Sequence, residues 1–195
     1  MSIEFEATFV DVDIDEVRVK LEKLGAKLIQ PERLMRRVIF WPPKQDELGW
    51  MRVRDEGHKI TLSYKRFLGY QKEKVDISDQ EEICLEINDF EQGVKLLEMT
   101  GAKKKAYQET KREEWLYLNS EICLDTWPGL EPFIEIEAQD EALVKKISQD
   151  LDLDYLQALF GPVHVVYEKK LGISADEINN HTPEITFDNP PQKKI

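Results

Sequence analysis

The 195-residue chain has 39 acidic and 27 basic residues, a formal net charge of −12, and 41% apolar residues. That apolar share supports a packed core, and the length suits one domain or one domain with a tail. The acidic balance lacks the basic footprint of nonspecific nucleic-acid binding, but a local basic cluster can still hold a small anion. No apolar run is long enough for a bilayer, and MSIEFEATF shows no basic-then-apolar leader, so a cytoplasmic location without membrane or nucleic-acid partners is expected.

In chain order, residues 3–10 alternate, with Glu4, Glu6 and Thr8 on one face and Ile3, Phe5, Ala7 and Phe9 on the other. Period two marks a strand. Asp13 or Asp15 caps a helix carrying Val17, Leu21 and Leu24, stopped by Gly25. A strand over 36–41 ends at Pro42 and Pro43, and segments 50–54 and 59–65 form a hairpin around Asp55, Glu56, Gly57 and His58. Residues 67–79 read as a mobile loop. A strand over 82–87 sets Glu82, Cys84 and Glu86 against Ile83, Leu85 and Ile87. Asp89 then caps a helix with Phe90, Val94 and Leu97, closed by Gly101. Strands near 107–118, 121–126 and 132–138 precede a last helix over 140–151, and the chain beyond Gly172 is polar with Pro183, Pro190 and Pro191. The helix-to-glycine runs LEKLGAKL and LLEMTGAKKK hint at an internal duplication.

The polar strand faces are not assorted. Glu4 with Glu6, Glu82 with Glu86, and Glu135 with Glu137 form acidic pairs; Arg52 with Arg54, and Lys65 on the neighbouring arm, are basic. Residues two apart project from one side of a strand, so each pair is a patch. Any single pair is compatible with a solvated face, but repetition over five strands favours a barrel with a charged bore, its apolar outer faces covered by helices. Carboxylates crowded in such a bore repel one another unless cations are near. Divalent metal satisfies the carboxylates, and arginine forks match phosphate oxygens. Cys84 and Cys123 lack metal-finger spacing and read as small buried or lumenal residues. His58, His164 and His181 read as solvated or satisfied, Trp41 and Trp50 as packing residues, and Trp127 as a rim residue.

These residues also resemble the CYTH superfamily, the triphosphate tunnel metalloenzymes. Glu4-x-Glu6 is similar to the start of its Glu-x-Glu-x-Lys signature, with Thr8 in the lysine position. Arg52-x-Arg54, Leu62-Ser63-Tyr64-Lys65, the Glu82/Glu86 strand (with Cys84 where a further acid is often found) and Lys111-Arg112 before Trp115 follow in order. LDTWPGLEPFIEIE resembles the family's Leu-Asp…Gly-Leu-Gly-x-Phe-x-Glu-Ile-Glu block, with Glu131 at a usual glycine.

The resemblance implies an α+β fold: an eight-stranded closed antiparallel β-barrel with helices outside, a tunnel domain over residues 1–171 and a polar tail over 172–195. It implies that Arg52, Arg54, Lys65 and Arg112 grip a triphosphate. Glu4, Glu6, Asp125, Glu135 and Glu137 would hold Mg²⁺ or Mn²⁺, with Glu82 and Glu86 as further lumenal acids. The implied activity is metal-dependent hydrolysis of inorganic triphosphate, thiamine triphosphate or a nucleoside triphosphate. Class IV-type adenylyl cyclisation is an alternative. So is a non-catalytic nucleotide- or polyphosphate-binding module, which Thr8 and Cys84 favour. The tail is open to covering a tunnel mouth or making homodimer contacts.

Overall fold

The computed structural model describes the backbone of residues 2–43, 49–67 and 80–193, and the side chains of 5–43, 49–66 and 81–193. The loop expected at 67–79 lies, from residue 68 onward, outside the described residues. The elements run β1 (Ser2–Phe9), α1 (Ile14–Lys23), β2 (Lys27–Trp41), β3 (Gly49–Asp55), β4 (Ile60–Phe67), β5 (Gln80–Ile87) and α2 (Phe90–Met99). They continue with β6 (Lys103–Tyr117), β7 (Ser120–Thr126), β8 (Phe133–Ala138), α3 (Glu141–Asp150), α4 (His164–Leu171) and β9 (Glu184–Ile185).

An aspartate starts each of the first three helices. The Asp13 carboxylate accepts from the Asp15 and Glu16 amides, Asp89 from Gln92, and Asp140 from Leu143. Each occupies donors that the first helical turn leaves unpaired. Gly25 and Gly101 end α1 and α2 at φ of 74° and 91°, where a side chain would be strained. In both cases the following alanine amide donates back to the last turn, Ala26 to Leu21 O and Ala102 to Leu97 O. The chain then enters β2 or β6, the two 15-residue strands, which pair with each other. The recurrent helix–glycine–alanine–strand unit is consistent with the duplication hinted at in sequence.

The fold is α+β, a nine-stranded sheet with helices packed on it. The strand order is β2-β3-β4-β5-β1-β8-β7-β6-β9, and β2 additionally pairs with β6. All pairings are antiparallel except that of β6 with β9. The pairings lead from β2 round to β6 and back to β2, but the expected closure is incomplete at β1 among the described residues. Ser2 to Glu4 pair with β5, whereas Phe5 to Phe9 pair with β8, and among the described pairings no β1 residue has both neighbours. Among the described residues the sheet therefore has a seam that hydrogen bonds do not close, and β5 beyond Glu82 is paired there to β4 alone.

The apolar strand faces turn outward beneath the helices. Val17 and Leu21 of α1 and Val144 and Ile147 of α3 bury against Ala7, Phe9, Ile122, Leu124, Ile134 and Ile136. On the other side, Phe90 and Leu97 of α2 pack on Val38, Phe40 and Val53. With these faces covered, the opposite faces of the same strands look inward and carry the charges. The segment after Gly172, expected as an appended polar tail, is instead docked. Ile173, Ile178 and Ile185 bury with Val166 and Tyr167 of α4 against Trp127, Leu130 and Phe133. Three isolated isoleucines in polar sequence have no strand or helix period, and the pairing of β9 with β6 and the bond from Tyr107 N to Pro183 O hold the segment with them.

Candidate functional site

The inward faces surround a cavity of about 280 Å³. One wall is basic: Arg37 of β2, Arg52 and Arg54 of β3, Lys65 of β4 and Arg112 of β6. Strand register explains the grouping. Arg37 lies opposite Arg54, Ile39 opposite Arg52, Arg52 opposite Ser63, and Trp50 opposite Lys65, and directly opposed residues share a face. Arg36, one residue earlier, points outward, pairs with Asp55 and Glu91 and lies over the Phe90 ring.

The other wall is acidic. Glu6 lies opposite Glu137, which also lies opposite Glu121, and Glu135 lies opposite Thr8 and Cys123. Glu6, Glu82, Glu121, Glu135 and Glu137 all face the cavity. The walls bond across and along the sheet: Arg52 to Glu82 at 2.9 Å, Lys65 to Glu6 at 3.7 Å, and Arg54 to the buried Glu56 at 2.5 Å. Arg112 holds Asp125 through Nε at 2.7 Å and Glu135 through Nη2 at 2.5 Å. Burial opposes the Arg112 charge, but Asp125 and Glu135 outweigh it and hold its pKa well above the ordinary value. Burial raises Glu135 well above the usual carboxylate range, with Asp125 and Glu6 adding to the shift and Arg112 opposing it.

Arg37 differs from the other cations. It is 7% exposed and, among the described residues, has no carboxylate partner. Its Nη2 donates to Thr110 Oγ1 at 2.6 Å, its guanidinium sits 4.8 Å from the Trp127 ring, and its Nε has no hydrogen-bond partner. Burial, then Arg54, Arg52 and Arg112, push its pKa well down. Arg52 Nε is likewise buried without a partner. Unmet buried donors are rare because each forfeits its hydration.

Of the residues singled out in sequence, Arg52, Arg54, Lys65, Arg112, Glu6, Glu82, Glu135 and Glu137 line the cavity. Asp125 is 1% exposed and sits behind Arg112. Glu86, expected in the bore, is exposed and takes no part in the cavity, as is Cys84. Both lie past the seam, where β5 has lost β1 as a neighbour. The Glu4 side chain lies outside the described residues. Sequence reasoning offers Arg36 or Arg37 to replace the charge lost at Thr8 without choosing between them, and misses Lys105, Gln108, Glu121, His164 and Asn179, which face the cavity with Arg37, Trp41, Trp50 and Trp127. Among the described residues no three carboxylate, imidazole or thiol groups converge as a metal-binding set.

The structure is similar to the PH1012 protein of Pyrococcus horikoshii OT3, with a TM-score of 0.64 and 21% identity over 82% of this chain and 94% of that one. It is similar also to a candidate adenylate cyclase from Vibrio parahaemolyticus, with a TM-score of 0.67 and 13% identity over 86% and 98%. A third match, at TM-score 0.53 and 14% identity over 88% and 96%, is a candidate adenylyl cyclase from Hippeastrum whose description reports a dominant triphosphatase activity. At these identities the likeness is one of fold. No curated protein matches the sequence. The CYTH domain model matches residues 2–160, most of the chain, and the protein accordingly belongs to the CYTH domain family.

Proposed function

We propose that the cavity works as a tunnel that binds the triphosphate chain of a small molecule and hydrolyses its terminal anhydride with the help of a divalent cation. The observation that carries this reading is the basic wall, above all the buried Arg37 and Arg52 donors without partners. Mutually repelling guanidiniums in a cavity call for a polyanion, and a phosphate chain offers oxygens to several forks at once. The family membership and the triphosphatase activity described for the Hippeastrum protein support the same choice.

The acidic wall fits a hard cation by donor chemistry. Glu6, Glu135 and Glu137 supply carboxylate oxygens, the ligands that Mg²⁺ and Mn²⁺ prefer. Burial first, then Asp125 and Glu6, raise the Glu135 carboxyl, and nearby positive charge would oppose that rise. Bound there, the ion would neutralise phosphate charge and make water more acidic. The protein's own groups do the rest. Arg37, Arg52, Arg54 and Lys65 fix the phosphate chain along one wall, and prepositioned donors stabilise charge as it builds on phosphate oxygens. Asp125 orients Arg112 toward the same space.

Phosphate release from tripolyphosphate, thiamine triphosphate and ATP, each with Mg²⁺ or Mn²⁺, tests the reading. Metal-dependent release that is lost in Arg52→Ala and Arg54→Ala supports it; absence of release from every substrate opposes it. One observation favours binding without turnover: Arg112 occupies Glu135, so the acidic wall is partly committed. Clear calorimetric binding with no release selects that second reading, and cyclic AMP formed from ATP selects the cyclase.

A further inference from the structure

Beyond the basic wall the cavity changes character. Four residues along β2 from Arg37, roughly 13 Å at strand rise, Trp41 and Trp50 begin an end formed with Lys105 of β6 and with parts of the docked C-terminal region. Ile39, Val163 and Ile178 make this end largely apolar. Three polar groups remain. Lys105 Nζ lies 4.0 Å from the Trp41 ring centroid and, among the described residues, has no acidic partner. Asn179 Nδ2 lies 3.0 Å from His164 Nδ1, so a neutral imidazole accepting there keeps its hydrogen on Nε2 for a ligand. Burial first, and Lys105 in part, lower the His164 pKa and favour that neutral form, with Glu168 opposing.

Apolar walls with a few convergent polar groups suit an organic group rather than more phosphate. Among the described residues Lys105 is a half-buried cation without a counter-charge, so it repels a cationic ring and attracts a neutral one bearing acceptor atoms. Trp50 lies opposite Lys65 and Ile39 opposite Arg52, so this end adjoins the basic wall. His164 and Asn179 fall outside the residues matched to the family, whereas Trp41, Trp50 and Lys105 lie within them.

We propose that Lys105, His164 and Asn179 are specificity-determining residues that read the organic end of the substrate, selecting a neutral acceptor-bearing ring, as in a nucleoside triphosphate. This rests on the triphosphate reading of the basic wall.

The test uses the full chain with Mg²⁺ and measures, by calorimetry, binding of tripolyphosphate, thiamine triphosphate and each of ATP, GTP, CTP and UTP. Wild-type protein is expected to bind the best nucleotide at least about tenfold more tightly than thiamine triphosphate, whose ring is cationic. In Lys105→Gln and in Asn179→Ala the ratio of nucleotide to tripolyphosphate affinity is expected to fall about five- to tenfold, the scale of one lost hydrogen bond. Melting temperature, read alongside, reports whether each variant is folded, and the two variants act from different elements. An unchanged ratio in both folded variants, or thiamine triphosphate bound as tightly as the nucleotides, overturns the inference while tripolyphosphate binding leaves the basic-wall reading standing. Absence of tripolyphosphate binding by wild-type protein overturns both.

Discussion

Arg37→Met separates ligand binding from folding because it should move them in opposite directions. Methionine keeps much of the apolar stem but removes a guanidinium that is 7% exposed and faces Arg52, Arg54 and Arg112. Losing a charge-assisted bond to phosphate costs about 1.5–3 kcal/mol, or about 12- to 150-fold in Kd for tripolyphosphate. The empty protein gains instead, since an apolar side chain removes the desolvation cost of a buried charge that has no carboxylate partner among the described residues. Loss of the Thr110 bond and the Trp127 contact, each about 1 kcal/mol, offsets part of that gain. A net rise of about 1 kcal/mol corresponds to about 2–4 °C in Tm for a protein of this size. Calorimetric titration and thermal melts of the ligand-free protein are the assays. Unchanged tripolyphosphate affinity would refute the assignment of Arg37 to the phosphate wall. A fall of several degrees in Tm would refute the claim that its charge is uncompensated.

Three further expectations follow from the same charges. Glu137→Gln should shift the Mg²⁺ titration of phosphate release to higher metal, and superimposable curves would remove Glu137 from the cation set. Arg112→Ala strands the buried Asp125 and Glu135 carboxylates, so a loss of about 3–5 kcal/mol is expected in chemical denaturation without metal; a loss under 1 kcal/mol would mean that the pair is not tightly coupled to the fold. Burial lowers Lys105 to about 8 from 10.5, so it is charged below that pH and loses its proton as pH rises through it. His164, already low, stays neutral across this window. Preference for nucleotide over tripolyphosphate should therefore decline between about pH 7 and 9, and a flat profile would remove the Lys105 charge from recognition. The linked stability term has the matching sign: the cost of burying charged Lys105 is present below its folded pKa and fades as pH rises toward 10.5.

The inward residues of β1, β3, β4 and β8 were legible because each strand is short and strictly alternating, so parity alone names the face. Parity failed on β2. Arg36 and Arg37 are adjacent basic residues, one on each face, and the register that tells them apart, unbroken against β6 from Arg33 to Ile39, is visible only in the fold. Lys105 was hidden differently, as the end of a run of three lysines that reads as solvated surface. Glu86 shows the complementary limit. Alternation assigns a residue to a face, but whether that face is enclosed depends on a neighbour strand, and β1 leaves β5 after Glu82.

The threonine at position 8 can be judged by where the surrounding charge comes from. Thr8 is 3% exposed and lies opposite Glu135, so a lysine there would sit beside the carboxylate that Arg112 already holds. Positive charge is supplied instead from β2, by Arg37, on the wall that carries Arg52 and Arg54. The basic groups are thereby gathered on one side and the carboxylates Glu6, Glu135 and Glu137 on the other, a separation that suits an anion and a cation bound side by side. In this arrangement the decisive contact is the Arg112–Glu135 pair, where the two walls already neutralise each other at 2.5 Å. A phosphate chain competing for Arg112 would release Glu135, and a cation competing for Glu135 would release Arg112. Each ligand thus removes part of the cost of binding the other, and the two should bind with positive cooperativity. Tripolyphosphate titrations with and without Mg²⁺ measure that coupling directly. Identical affinities for the protein under the two conditions, after correction for the metal bound by tripolyphosphate itself, would show that the walls act independently.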